Sequence, residues 1–310
     1  FHEFTHAVMD TITTLGFALP DVYGLNPTPG GMQEGFPDYF SSSITGDSEV
    51  GEYAGAAVTS PISPPSGAIR SLMHTTHCPE SLWGESHRDS EPWSAALWAI
   101  RTGVAAGDPA AAAAVDNAMY TVLDSLGPYD DFASTQGRVV AEMNTAIGAA
   151  AGDLATTAFT SRGLVTCNNR VIPLAIGTPK DLVFLYGTDA VMGTMLVPGP
   201  MQFRIDLPVD AQEIRVDIAR SQYLGGGFGG GAPGVQLIVK PGVDPILWNW
   251  PLVSGTPTHD ATSTGNVTFG AGRTPSGSGT VAGTFPAGTY HVQLNNAGSS
   301  WAVAVVAFSY

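Results

Sequence analysis

Three residues at one end of the chain have the types and spacing for metal chemistry: His2, Glu3 and His6, in the pattern H-E-x-x-H. On a helix, positions i and i+4 stand one above the other on the same face. His2 and His6 therefore offer two imidazole nitrogens to one ion, and Glu3 reaches a water held on it. This donor set and spacing fit zinc. A catalytic zinc takes three protein ligands and keeps one position open. Within residues 30–40, GGMQEGFPDYF, Glu34 supplies the third ligand from a second helix. Asp38, one turn further on that face, is placed to accept the other ring N–H of a ligand histidine. The competing reading is a solvated i, i+4 acidic pair. The chemistry implied is metal-assisted hydrolysis, with Glu3 as general base.

The elements that must position these groups are helical up to about residue 170. After the two metal-site helices, residues 90–101 place Trp93, Ala96, Leu97 and Ile100 on one apolar stripe. Asp108-Pro109 is a start signal, an acidic N-cap before a first-turn proline, for a helix running to Leu126. A last helical stretch spans residues 131–159, interrupted near residues 148–152. From Val171 the period changes to two. Residues 203–207 (FRIDL) and 214–218 (IRVDI) alternate apolar and polar, as half-buried strands do. Further strands are expected at 235–239, 279–285, 290–294 and 301–308, an antiparallel β-sandwich. The glycine-rich residues 225–234 lack the context and lysine of a phosphate cradle. They read as a hairpin loop, with calcium or a glycan as the alternative contact. The resulting fold class is α+β: a helical lobe over 1–170, a linker over 171–195 and a β-sandwich over 196–310.

Composition narrows the partners. Net charge is −15, and Lys180 and Lys240 are the only lysines, so the basic footprint needed for nucleic acid or anionic membrane is missing. A hydrophobic content of 44% supports real cores. No apolar run is long enough to span a membrane. Cys78 and Cys167 are the only cysteines, and in an oxidising compartment two cysteines pair. The alternative is a zinc cluster built on His74-Thr75-Thr76-His77-Cys78, which lacks a second half.

The H-E-x-x-H run followed by Gly-Gly-Met-Gln-Glu-Gly-Phe-Pro-Asp resembles the thermolysin-like gluzincin zinc metallopeptidases, most closely the fungalysin type. A third matching element is Ser86-His87-Arg88-Asp89-Ser90-Glu91-Pro92-Trp93, and Arg162-Gly163-Leu164 also fits. The resemblance covers residues 1–165. It implies Zn2+ on His2, His6 and Glu34, Glu3 as base, and His87 as donor to the oxyanion of the tetrahedral intermediate. The acid that orients His87 is left open among Glu85, Asp89 and Glu91. Tyr23, the only tyrosine between His6 and Glu34, is the candidate for the family's auxiliary tyrosine; its other reading is a packed loop aromatic. Related peptidases carry a β-rich N-terminal lobe before this helix, so the resemblance implies contact with a lobe missing here. Phe285-Pro286-Ala287-Gly288-Thr289-Tyr290-His291-Val292 resembles the hairpin of bacterial pre-peptidase C-terminal domains, over residues 196–310. Together these imply a secreted zinc endopeptidase acting on proteins or peptides. A non-catalytic extracellular matrix or adhesin-like module is the alternative.

Overall fold

The computed structural model describes residues 1–52, 67–188, 195–224, 234–251, 255–270 and 275–310. The chain forms two compact units: Phe1–Leu19 with Pro27–Asn168, and Pro20–Asn26 with Asn169–Tyr310. The glycine-rich loop lies, apart from Gly234, outside the described residues.

The first unit contains seven described α-helices, α1 His2–Ile12, α2 Thr28–Thr45, α3 Ser86–Asp89, α4 Glu91–Gly107, α5 Ala112–Asp124, α6 Phe132–Ala146 and α7 Ala149–Thr160. Asp108 caps the turn Pro109–Ala111 that leads into α5, accepting from the Ala110 N–H at 3.0 Å. Asp131 and Ser134 close a reciprocal capping box at α6. The break expected inside residues 131–159 falls at Ile147 and Gly148, where glycine takes φ +133°. The core is aromatic: Trp93 of α4 stacks on Phe132 of α6 and Phe159 of α7, each with centroids 5.3 Å apart, and meets the edge of Phe36 of α2 at 5.7 Å. Two glycines let α2 come close to this core. A Cβ on Gly35 would lie 2.8 Å from Trp93 Cδ1, and one on Gly31 would lie 2.9 Å from Phe132 Cζ.

Residues Pro20–Asn26 of the second unit carry most of a hairpin whose strands are β1 Leu19–Asp21 and β2 Gly24–Asn26. The two-residue strands β3 Glu49–Val50 and β4 Arg70–Ser71 pair in the first unit. The remaining strands are β5 Val171–Pro173, β6 Lys180–Leu185, β7 Val197–Pro198, β8 Gln202–Leu207, β9 Ala211–Leu224, β10 Val235–Pro241, β11 Trp248–Asn249, β12 Thr258–His259, β13 Ser263–Phe269, β14 Gly277–Phe285, β15 Gly288–Asn296 and β16 Trp301–Ser309. Ten of them form one sheet in the order β5-β8-β15-β10-β13-β14-β9-β16-β6, with β7 beside β15. Among the described residues of this sheet the β5–β8 pairing is parallel and the others are antiparallel. Phe203 on β8 and Phe308 on β16 lie six strands apart along this order, about 29 Å in a flat sheet. Their rings are 5.3 Å apart, so the sheet curls and faces its own apolar side. Residues 171–195, expected as a linker, instead supply β5 and β6 at the two ends of the sheet. β5 has only three residues, and β6 buries Val183, Phe184 and Leu185 in succession, so neither carries the alternation that marks a half-buried strand in the sequence. At the same end of the chain Arg170, fully buried, forks onto Asp21 of β1 at 2.7 and 2.9 Å and donates to the Pro200 carbonyl at 2.7 Å. That bond network explains why residues 20–26 belong with the sheet although they follow α1 in sequence.

Candidate metal centre and its surroundings

Helix α1 has no side-chain cap at Phe1 and is held by its buried Thr5 and Met9. That core face leaves His2 and His6 on a neighbouring face, with ring centroids 4.8 Å apart. Helix α2 brings Glu34 against them. The His2 and His6 Nε2 atoms are 3.1 Å apart, and Glu34 Oε2 lies 3.2 Å from the first and 3.6 Å from the second. Among the described residues, these three side chains bring one possible ligand atom each close enough together to hold one ion. Ligands at about 2.0–2.2 Å on a tetrahedral ion stand about 3.3–3.6 Å from each other; the observed 3.1, 3.2 and 3.6 Å are close to such edges, two of them slightly shorter. Glu34 Oε2 is also buried without an aligned hydrogen bond, a costly state for a carboxylate oxygen unless a cation is its partner. The residues therefore fit a zinc ion.

Asp38 sits behind His2. Its Oδ1 lies 2.9 Å from His2 Nδ1, off the line of a straight hydrogen bond and so an ion-pair contact. Asp38 is fully buried, and Arg70 of β4 grips both its oxygens, Nε to Oδ2 and Nη2 to Oδ1, each at 2.7 Å. Burial would raise the Asp38 carboxyl, but Arg70 and His2 hold it below the usual range. For His2, burial is the largest influence and would lower its pKa; contacts with Asp38 and Glu34 together outweigh it and bring the value to about 9. Burial would likewise raise Glu34, and the histidines His2, His87 and His6 overcome it and leave it lowered. Arg70 went unnoticed in the sequence because it stands in no motif. The scarcity of cations, 12 Lys and Arg in all, was the available signal, since a strongly acidic chain has few to give a buried carboxylate.

His87 comes from α3 with its Nε2 3.4 Å from Glu34 Oε2. Its Nδ1 meets Glu85 Oε1 at 2.7 Å, a contact that raises the His87 pKa. Glu85 is thus the acid that orients His87. The other two acids are engaged elsewhere. Asp89 accepts the Trp83 and Gly84 N–H groups, and Glu91 pairs with Arg88. Glu3, His2, Arg70 and His87 line one cleft together with Phe1, Ser41, Val50, Gly51 and Ile69. Tyr23 belongs to the second unit, where its N–H donates to Asp21 at 2.8 Å and its carbonyl accepts from Gln293 at 3.0 Å. Cys78 and Cys167 form a disulfide, so Cys78 is no thiolate ligand. Of its histidine neighbours, His77 pairs with Glu80 at 2.8 Å and His74 approaches Glu91 at 3.6 Å. Arg162 donates to the His74 carbonyl at 3.4 Å.

Among the described residues no helix is long and apolar enough to cross a membrane. No protein-family model and no curated protein matches the chain. Among solved structures, the pre-peptidase C-terminal domain of collagenase from Bacillus anthracis aligns with 45% of this chain and 94% of that domain, at 9% identity and a TM-score of 0.24.

Proposed function

We propose that this chain is a secreted zinc endopeptidase hydrolysing protein or peptide substrates. The observation that supports it most is the convergence of His2, His6 and Glu34 at separations close to tetrahedral edges on a buried carboxylate oxygen without an aligned hydrogen bond. When bound, the ion supplies Lewis acidity, bringing a water's pKa toward 7 and polarising a carbonyl. Glu3, in the same cleft, accepts the proton of the attacking water and passes it to the leaving amine. With Nδ1–H committed to Glu85, a proton on His87 Nε2 makes that ring an imidazolium, which donates to the oxyanion. Asp38 and Arg70 hold the His2 ring in place. The disulfide agrees with an oxidising compartment. Residues 196–310 we read as an accessory β-sandwich that contributes no catalytic group.

The test is Glu3→Gln beside the wild-type protein, with zinc measured by elemental analysis and hydrolysis followed on casein. Wild type should hold one zinc and lose activity to a chelator; Glu3→Gln should keep the zinc and lose hydrolysis. Casein cleavage by Glu3→Gln at the wild-type rate would sink this mechanism. Wild-type protein without zinc and without hydrolysis would favour the non-catalytic matrix module instead.

A further inference from the structure

We propose that Asp89 is a positioning residue for the His87 oxyanion donor, an inference that rests on the peptidase reading above. The His87 side chain is 55% exposed, so packing alone does not aim it. Its aim depends on Glu85, whose carboxylate takes His87 Nδ1 at 2.7 Å and the backbone N–H groups of His87 and Arg88 at 3.2 and 3.0 Å. Where Glu85 stands is set in turn by the bend just before it, at Trp83 and Gly84, where Gly84 takes φ +88°.

Asp89 fixes that bend. Its two oxygens accept separate amides, Oδ1 from Trp83 at 2.7 Å and Oδ2 from Gly84 at 2.9 Å. Its own N–H returns to the Glu85 carbonyl at 2.8 Å. The side chain is fully buried, and its backbone carbonyl lies within 3.1 Å of where a Gly31 Cβ would stand on α2, the helix that carries Glu34. Helix α3 is therefore clamped from both ends, Glu85 capping its start and Asp89 biting back on the bend before it. The side chain must be a carboxylate. An asparagine of the same shape would turn an NH2 group toward one of the two amide donors, and that donor would lose its acceptor.

A misplacement of about 1 Å at a reacting group costs about 100-fold in rate. Asp89→Asn should therefore lower kcat by about 10- to 100-fold with KM and zinc affinity unchanged, because the ligands lie on α1 and α2. Rates are to be normalised to sites titrated with a tight-binding phosphonamidate peptide, which removes any loss of folded protein from the comparison. The deciding measurement is the double variant. If Asp89 works through His87, Asp89→Asn should change kcat by less than about twofold once His87→Ala is present. Equal losses in both backgrounds, or a wild-type kcat in Asp89→Asn, overturn the proposal while leaving a zinc-dependent, chelator-sensitive wild type intact. A wild type whose hydrolysis ignores chelators overturns the peptidase reading together with it.

Discussion

At His2 a proton and a metal ion would compete for the same nitrogen. Its Nε2 must be free of a proton to bind an ion, yet Asp38 and Glu34 favour its protonated form and raise the pKa from 6.5 to about 9. Below about 9 the proton competes, so zinc affinity should climb by up to about tenfold per pH unit from this group and level off above it. Chelator competition between pH 6 and 9.5 checks this, and an affinity flat below pH 9 would contradict it. Without metal the sign reverses. A raised folded pKa contributes stability that is fully present below about 6.5 and lost as pH rises through about 9. The metal-free protein should therefore weaken over that window, while the zinc-loaded protein, whose His2 is already deprotonated, should not.

At the scale of elements, the site depends on how closely α2 lies against α3 and α4. Alanine at Gly35 would gain up to about 1 kcal/mol of helix propensity. Its Cβ, however, would meet Trp93 Cδ1 at 2.8 Å, and Trp93 is pinned between Phe132 and Phe159. Overpacking a rigid core costs about 1–3 kcal/mol, so the clash wins and Gly35→Ala should destabilise the first unit. Gly137 is the control, because it lies on α6 with nothing within 4 Å of its missing Cβ. Gly137→Ala should stabilise by about 0.5–1 kcal/mol. Urea unfolding of both variants reads the two signs, and a stabilised Gly35→Ala would show that the core has slack.

At the scale of the whole molecule, the candidate ligands all lie in one of the two compact units. A ligand that binds the folded state stabilises it by about 2.7 kcal/mol at 100 times its Kd. Hydrogen exchange with and without zinc should therefore show protection gained in peptides of residues 1–19 and 27–168. Peptides of residues 169–310 should exchange at unchanged rates. Equal protection of the sheet unit would mean that the ion is held elsewhere or that both units unfold together.

Local rules written in the sequence settled a good part of this protein. The i, i+4 spacing put His2 over His6, the Asp108-Pro109 signal started a helical segment, and strict alternation marked β8 and part of β9. These depend on neighbours within a few residues, which the sequence lists directly. β13 was missed because its solvent-facing Ser, Thr, Gly and Asn residues bury little but Val267, so hydrophobic period had nothing to report. Arg70 on Asp38, Glu85 rather than Asp89 or Glu91 beside His87, and the placing of residues 20–26 in the second unit were decided only by tertiary structure. In each, a charged or polar group had several partners of suitable type along the chain. Which one it met depended on where helices and strands distant in sequence were packed, and burial then made that one contact obligatory.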